Sequence, residues 1–301
     1  SESEISAINM VYGASAAGAR VMTSSSSPGI SLKQEGISYL AGSQLPAVIV
    51  NVCRGGPGLG SISPAQSDYH QSTRGGGHGD YRTICLAPSS VQEAADLTHR
   101  AFEMADKYLN PVILLSDGVI GQMMEPVEFK HEIPGKCVIR SGALGYAADR
   151  PSKAIHSFYI DPSEVEELNW SLFRRYEQVS KEADYETYMV KDAKLIVAAF
   201  GVSARIAKGA IKQARANGLK VGLFRPITLW PFPEKALREM LNYTRYFLDF
   251  EMNMGQMIDD LKLSLEGRGD ISFYGRPGGV VPNPTEILRV ITRIYYQKGL
   301  K

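Results

Sequence analysis

The chain has 301 residues, of which 44% are hydrophobic and 22% are charged, and its formal net charge is +1. This length allows two domains, and the composition is typical of a globular protein. The near-zero charge excludes bulk attraction to nucleic acid or to a membrane surface. No apolar run approaches the roughly 20 residues that a membrane span needs.

The first half of the chain alternates predicted helices with short apolar strands. Continuously apolar strands that alternate with helices predict an α/β fold with a parallel sheet covered on both faces. The predicted helices lie near residues 4–19, 32–42 and 91–108. The predicted strands are AVIVNV, Thr83–Ala87 and PVILLSD. The serine run TSSSSPG is predicted to be a turn.

The second half begins with a proline- and glycine-rich connecting stretch over 121–161. A charged helix is then predicted to bridge two domains. The strands KLIVAAF, KVGLFRP, RYFLDFE and ISFYGR alternate with helices, and Ser203 is predicted to cap the first of these helices. We therefore predict a first α/β domain over 1–162, a linker helix over 163–190 and a second α/β domain over 191–301.

Three widely spaced cysteines, Cys53, Cys85 and Cys137, form no CxxC motif. This spacing argues against a disulfide framework, a zinc site and iron–sulfur ligation. We expect a protein of the reducing cytoplasm whose chain holds no metal of its own.

Arg54 ends the apolar strand AVIVNVC and precedes the glycine-rich GGPGLG. Ligands bind beyond the carboxyl ends of strands in open α/β sheets, and a guanidinium there can hold a carboxylate through two parallel hydrogen bonds. The alternative is an ion pair with a local acid, Asp68 or Asp80. The spacing of GGPGLG is wrong for a dinucleotide fingerprint, and no helix with an apolar face follows it, which argues against a nicotinamide or flavin site.

Three further features allow both a structural and a functional interpretation. Glu4 begins a helix, where the helix dipole alone favours an acid. Ser24–Ser27 with Gly29 forms a strand-end turn or a lining for a ligand. His78, in GGGHGD, is a turn residue or a catalytic one.

Several long motifs together carry a resemblance to a known family. They are SEISAINMVYGASAAGARVMTSSSSPGISL, QLPAVIVNVCRGGPGLG, PAQSDYHQSTRGGGHGDYR, NPVILLSDG, FRPITLWPFP and EMNMGQM. In these motifs the chain resembles the alpha subunit of 2-oxoacid:ferredoxin oxidoreductases, and especially the branched-chain type that acts on 2-oxoisovalerate. The resemblance covers essentially the whole chain.

The resemblance implies a thiamine-diphosphate pyrimidine-binding-like domain followed by a transketolase C-terminal-like α/β domain. It further implies that thiamine diphosphate is shared with a beta subunit, which holds the diphosphate and Mg²⁺. A gamma subunit and a ferredoxin-like subunit that carries the iron–sulfur clusters complete such an enzyme. The implied reaction converts a 2-oxo acid and coenzyme A into acyl-CoA and CO₂.

Residue by residue, the resemblance assigns roles to six positions of this chain. Glu4 matches the glutamate that contacts the aminopyrimidine ring, where a carboxylate favours the tautomer that activates the cofactor. Arg54 matches the arginine that binds the substrate carboxylate. The family has a turn that lines the site near the cofactor, and the residues that match it here are Ser25, Ser26, Ser27 and Gly29.

One departure from the family pattern lies at the start of the chain. A segment of roughly fifty residues with a GYPITP-like loop precedes SEIS in the family and has no match here, so we expect an unpaired sheet edge and an incomplete pocket. Two alternatives remain open besides a dinucleotide-binding reductase. The first is a 2-oxoglutarate enzyme in which Arg74 or Arg82 supplies a second cation, and the second is a non-catalytic subunit that only docks partners.

Overall fold

A computed structural model describes residues 1–129 and 154–300; Cys137 and most of the predicted connecting stretch lie outside them. The first range contains α1 (Glu4–Ala16), β1 (Met22–Ser25), α2 (Ser27–Gly42), β2 (Ala47–Cys53), α3 (Tyr69–Arg74), β3 (Ile84–Leu86), α4 (Val91–Tyr108), β4 (Pro111–Asp117) and α5 (Gly118–Gln122). The second range contains α6 (Pro162–Val179), β5 (Tyr185–Tyr188), β6 (Leu195–Ala198), α7 (Gly201–Ala216), β7 (Val221–Pro226), β8 (Thr228–Trp230), α8 (Glu234–Glu239), β9 (Tyr246–Glu251), α9 (Met257–Leu265), β10 (Asp270–Gly275) and α10 (Pro284–Gln297). None of the described helices is both long and apolar enough to cross a membrane.

The first sheet has the strand order β1-β2-β4-β3-β8, and its first four strands are parallel. Strand β2 is buried along most of its length and pairs with β4 over seven residues, from Ala47 opposite Pro111 to Cys53 opposite Asp117. Helices cover both faces, as continuously apolar strands require. The prediction of parallel strands at AVIVNV and PVILLSD is confirmed, and the strand predicted at Thr83–Ala87 forms over Ile84–Leu86.

The second sheet has the strand order β10-β9-β6-β7-β5. All pairs are parallel except β5 with β7, which is antiparallel. Helices α7 and α10 bury small and branched residues against one face, including Ala207, Ala210 and Ile291. The four strands predicted for this half of the chain are confirmed.

The two sheets share elements and core. Strand β8 follows β7 of the second sheet in the sequence. It nevertheless pairs antiparallel with β3 and is therefore the last strand on that side of the first sheet. One hydrophobic cluster includes Ile49 of the first sheet and Phe247 of the second, and the rings of Tyr69 and Phe200 lie 5.3 Å apart across the contact. The predicted 191–301 unit therefore contributes a strand to the sheet of the predicted 1–162 unit.

The serine run is mostly strand and helix: Ser24 and Ser25 end β1, α2 begins at Ser27, and the predicted turn is confined to the junction at Ser26. Ser24 and Ser25 pair with Val50 and Asn51 of β2, although serine has little intrinsic preference for strands. Pro28 occupies the first turn of α2, where its missing N–H costs nothing, so this helix begins five residues before the predicted Leu32.

Two other predictions need correction. The predicted linker helix over 163–190 is helical only to Val179, and a short 3-10 turn follows. The end of the predicted helix forms β5 instead, whose four residues pair antiparallel with β7. Ser203 does not cap α7, because the helix begins at Gly201. Its buried hydroxyl instead donates to Gln66 Oε1 at 2.6 Å, across the contact between the two sheets.

Candidate functional site

Polar side chains gather where the parallel strands of the first sheet end. Ser25 ends β1, Cys53 ends β2 and Asp117 ends β4, and the register places Ser25 beside Asn51 and Cys53 beside Asp117. Because the strands are parallel, these carboxyl ends form one edge, which is where α/β sheets bind ligands.

The first turn of α1 meets the turn between β1 and α2 at this edge. Ser25 Oγ donates to Glu4 Oε1 at 3.3 Å, the one hydrogen bond to this carboxylate in the described residues. A Cβ on Gly29 would lie 2.0 Å from Ser25 Oγ and 2.5 Å from Glu4 Oε1. Only glycine at position 29 therefore allows Glu4 and Ser25 to meet in this way.

Lys33 stabilises this turn through hydrogen bonds to the end of β1, and no sequence pattern indicated this role. Lys33 is 1% exposed, and its ammonium donates to Thr23 Oγ1 at 2.7 Å and to the Ser24 carbonyl at 3.0 Å. Burial lowers the pKa of Lys33, and the negative charge of Glu4 opposes that shift. The lysine fixes the end of β1 and brings a positive charge under the site.

Arg54 lies beyond the end of β2, as predicted. Its backbone N–H donates to Ser27 Oγ at 2.9 Å, and its Nη2 donates to the Leu59 carbonyl at 3.1 Å. Its Nε is buried with no hydrogen-bond partner, and no carboxylate of the described residues lies within 4.0 Å of the guanidinium. The alternative ion pair with Asp68 or Asp80 is therefore absent from these residues.

Ser27 connects this arginine to an acid that the sequence analysis considered only as its ion-pair partner. Ser27 Oγ donates to Asp68 Oδ2 at 2.5 Å, and Asn51 Nδ2 donates to the same oxygen at 3.0 Å. Ser26 occupies the N-cap position of α2, but its side chain makes no capping bond. The predicted residues thus form two linked groups: Glu4, Ser25 and Gly29 in one, and Ser27 and Arg54 in the other.

The glycine-rich loop after Arg54 packs against the loop that follows β10. A Cβ on Gly55 would lie 2.7 Å from the Gly278 carbonyl, and Ser61 Oγ donates to that carbonyl at 3.2 Å. The glycine at position 55 thus serves a close approach of two backbones. His78 is exposed, with its ring edge-on to Tyr39, which favours the structural interpretation of this histidine.

The motif PAQSDYHQSTR contacts helix α9 in the second half of the chain. Tyr69 donates to Asp260 at 2.5 Å, and Arg74 bonds the other oxygen of the same carboxylate at 2.9 Å. Arg82 precedes β3, so it lies at the amino ends of the strands, opposite to the carboxyl ends where Arg54 lies. Arg82 and Arg74 both line a cavity of about 780 Å³. Neither arginine is placed as a second cation beside Arg54.

The strand edge also carries one acid with a shifted pKa. Asp117 is 3% exposed and caps α5 by accepting from the amides of Val119 at 2.8 Å and Ile120 at 3.2 Å. Burial raises the pKa of Asp117 to about 6, and these two amides oppose the shift. The two cysteines within the described ranges, Cys53 and Cys85, are free and buried.

Comparison with known proteins identifies the family. Residues 1–194 match the model described as pyruvate flavodoxin/ferredoxin oxidoreductase, thiamine diphosphate-binding, and residues 193–287 match the pyruvate:ferredoxin oxidoreductase core domain II. Ketoisovalerate oxidoreductase subunit VorB of Methanothermobacter marburgensis is 52% identical over 294 residues, which are 97% of this chain and 83% of that protein.

Two solved structures are similar in fold. The 2-oxoglutarate:ferredoxin oxidoreductase from Magnetococcus marinus has a TM-score of 0.78 at 24% identity, over 97% of this chain and 56% of that one. A split gene transketolase has a TM-score of 0.58 at 13% identity, over 96% and 80% of the two chains. The predicted fold class, two α/β domains of the thiamine-enzyme type with a transketolase-like second domain, is confirmed. Since the first family model alone matches 194 of the 301 residues, the chain belongs to the pyruvate flavodoxin/ferredoxin oxidoreductase family.

Proposed function

We propose that this chain is the alpha subunit of a thiamine-diphosphate-dependent 2-oxoacid:ferredoxin oxidoreductase that acts on 2-oxoisovalerate or similar branched acids. One observation carries the proposal: Arg54, whose buried Nε has no partner among the described residues, lies at the same strand edge as the cluster of Glu4, Ser25 and Gly29. The 52% identity to a ketoisovalerate oxidoreductase subunit supports the branched acid as substrate.

The residues at the strand edge fit the pyrimidine end of thiamine diphosphate. Glu4 accepts one bond from the described residues, so its carboxylate retains lone pairs for a ring donor, and the missing Cβ of Gly29 lets this carboxylate and Ser25 Oγ meet. Ser25, Ser26 and Ser27 would line the ring. When bound, the cofactor supplies the nucleophilic carbon and the electron sink for decarboxylation.

Arg54 would bind and orient the substrate carboxylate. Its Nη2 already holds the Leu59 carbonyl, which fixes the guanidinium, while its Nε remains without a partner. A buried donor without a partner costs stability, and a carboxylate that accepts from it removes that cost. Paired hydrogen bonds to a guanidinium also fix the plane of the carboxylate, and hence the direction of the adjoining 2-oxo group.

The remaining parts of the enzyme are proposed to lie on other chains. Within residues 1–129 and 154–300, no three His, Cys, Asp or Glu side chains are grouped to hold a metal. We assign Mg²⁺ and the diphosphate to a beta subunit and the iron–sulfur clusters to a ferredoxin-like subunit, with a gamma subunit completing the complex. We also propose the reducing cytoplasm as its compartment, on the cysteine pattern.

The proposed reaction converts a 2-oxo acid and coenzyme A into acyl-CoA and CO₂. The bond between the carboxylate and the oxo carbon breaks, and a bond from that carbon to the coenzyme A sulfur forms. Two electrons pass to ferredoxin, and the thiol proton is released. Glu4 accepts a hydrogen bond from the pyrimidine ring, and Arg54 holds the carboxylate until it leaves as CO₂.

The substrate class is tested with a panel of 2-oxo acids on the assembled complex. A 2-oxoglutarate enzyme needs a cation for the second carboxylate, but Arg74 is paired with Asp260 and Arg82 lies at the other edge of the sheet. We expect higher kcat/KM for 2-oxoisovalerate than for 2-oxoglutarate. The docking-only alternative is tested separately, since a docking subunit would add nothing to thiamine diphosphate binding by the beta subunit.

The role of Arg54 is tested by Arg54→Ala in the assembled complex. Loss of a paired carboxylate contact should lower kcat/KM for 2-oxoisovalerate at least tenfold, roughly 1.4 kcal/mol or more. Arg82→Ala is the matched control, and it should leave kcat/KM unchanged. Equal kcat/KM for Arg54→Ala and the unmodified complex would refute the carboxylate role.

A further inference from the structure

The carboxylate of Asp68 joins three segments of the strand edge. It accepts from Ser27 Oγ at 2.5 Å and from Asn51 Nδ2 at 3.0 Å, and both bonds reach the same oxygen, Oδ2. Ser27 belongs to the turn proposed to line the cofactor, Asn51 to the end of β2, and Asp68 to the motif that contacts α9. Asn51 is fully buried, while Ser27 and Asp68 are half-buried, so this junction is partly screened from solvent.

Asp68 does not have the side-chain bonding expected at its position. It is the N-cap residue of α3, where an aspartate usually accepts from an amide of the first helical turn. Its side chain makes no such bond in this structure. The carboxylate is instead committed to Ser27 and Asn51, and a hydrogen bond to a charged acceptor is stronger than one between neutral groups.

The bond to Asp68 sets the orientation of the Ser27 hydroxyl. Ser27 has one proton, and its Oγ lies nearer to Asp68 Oδ2, at 2.5 Å, than to the Arg54 carbonyl, at 3.3 Å. With the proton donated to Asp68, the lone pairs of Oγ face the Arg54 N–H, which donates to it at 2.9 Å. The acid therefore acts on the arginine through the serine.

From this chain of bonds we infer that Asp68 is a positioning residue for Arg54. It holds Ser27 as an acceptor for the Arg54 amide and so fixes the arginine relative to the turn at Ser25–Gly29. The inference rests on the proposed function, because the benefit of a fixed Arg54 is the binding of a substrate carboxylate. Asp68 is expected to touch neither substrate nor cofactor.

The test compares Asp68→Ala with the unmodified chain in the assembled complex. We expect KM for 2-oxoisovalerate to rise about tenfold with little change in kcat, the pattern of lost uniform binding. The affinity for isovalerate, an unreactive carboxylate probe measured by calorimetry, should fall by the same factor. Asp80→Asn, which alters an exposed acid of the neighbouring loop, is the control and should change neither quantity.

A double-mutant cycle separates positioning from a merely structural role. In an Arg54→Ala background, Asp68→Ala should raise KM no further, because the two residues act on the same contact. If the effects on KM multiply, or if Asp68→Ala leaves KM unchanged while Arg54→Ala raises it, the inference is wrong. If Arg54→Ala itself has no effect, the proposed function fails instead. Should Asp68→Ala not assemble, Ser27→Ala serves the same cycle.

Discussion

Two arginines of this chain lie in or next to buried strands, and their surroundings differ. Arg225 in β7 is 1% exposed, and its Nη1 and Nη2 donate to the two oxygens of Glu93 at 2.8 Å. Its Nε makes no hydrogen bond but lies 3.3 Å from Glu186 Oε2. The buried Nε of Arg54 after β2 also lacks a hydrogen bond, but no carboxylate of the described ranges lies within 4.0 Å of this guanidinium.

The difference separates a structural arginine from the arginine that we propose to bind the substrate. A buried charge that lacks its counter-charge is strongly destabilising, so a fully buried arginine needs acids on the same chain. Arg225 has them, and the bond to Glu93 in α4 connects the second sheet to the first. An arginine at a ligand-binding strand edge that lacks an acid has capacity for an anion from outside the chain. The predictions below test each side of this contrast.

The largest expected effect comes from breaking the Arg225 cluster. Arg225→Met leaves Glu93 without its partner and should lower the free energy of unfolding by about 3–5 kcal/mol, measured by urea denaturation. The exposed Arg289 offers a matched control, since Arg289→Met should leave the denaturation midpoint nearly unchanged. A small effect of Arg225→Met would mean that this cluster does not hold the two sheets together.

A second, pH-dependent effect is expected from Asp117 at the site edge. Its pKa is raised to about 6 from 3.8, so the folded state binds the proton more tightly than the unfolded state does. Stability should therefore increase as pH falls through about 6, by on the order of 3 kcal/mol between pH 7 and pH 4 from this group. Asp117→Asn keeps the cap and should remove this contribution.

The measurement for Asp117 is the difference between two curves of unfolding free energy against pH, one for each protein. Other titrating groups are common to both and cancel. Curves that run parallel from pH 7 to pH 4 would contradict the raised pKa.

A smaller effect is expected from the close contact at Gly29. Gly29→Ala would push a Cβ against Ser25 Oγ and Glu4 Oε1, and overpacking of this kind costs about 1–3 kcal/mol. Gly13→Ala is the opposite case, because a Cβ there meets nothing within 4 Å and sits in the exposed interior of α1. It should stabilise the chain by roughly 0.5–1 kcal/mol. Equal shifts in the thermal midpoint would show that Gly29 is not confined.

The fold could be predicted where the sequence pattern is local. AVIVNV and PVILLSD are apolar along most of their length, so their burial on both faces follows from their own residues. Strands β1 and β8 could not be predicted in this way, because each is specified by a distant partner. The serines of β1 pair with β2. Thr228–Trp230 pairs with β3, more than 140 positions earlier in the chain.

The site shows the same division. Arg54 was predictable because a charge that ends an apolar strand is a local signal. Lys33 and the positioning role of Asp68 were not, because each depends on a contact made by folding, such as the 2.5 Å bond between Asp68 and Ser27, which are 41 residues apart. The only local signal for Asp68 was its place in the motif PAQSDYHQSTR.

The most direct test of this account is a structure of the assembled complex with thiamine diphosphate bound. The quantity to measure is the distance from the Glu4 carboxylate to the nearest ring nitrogen of the pyrimidine. We expect a hydrogen bond of about 2.6–3.2 Å, with Ser25 and Gly29 beside the ring. A Glu4 side chain that points away from the ring, with another acid in its place, would contradict the proposed function.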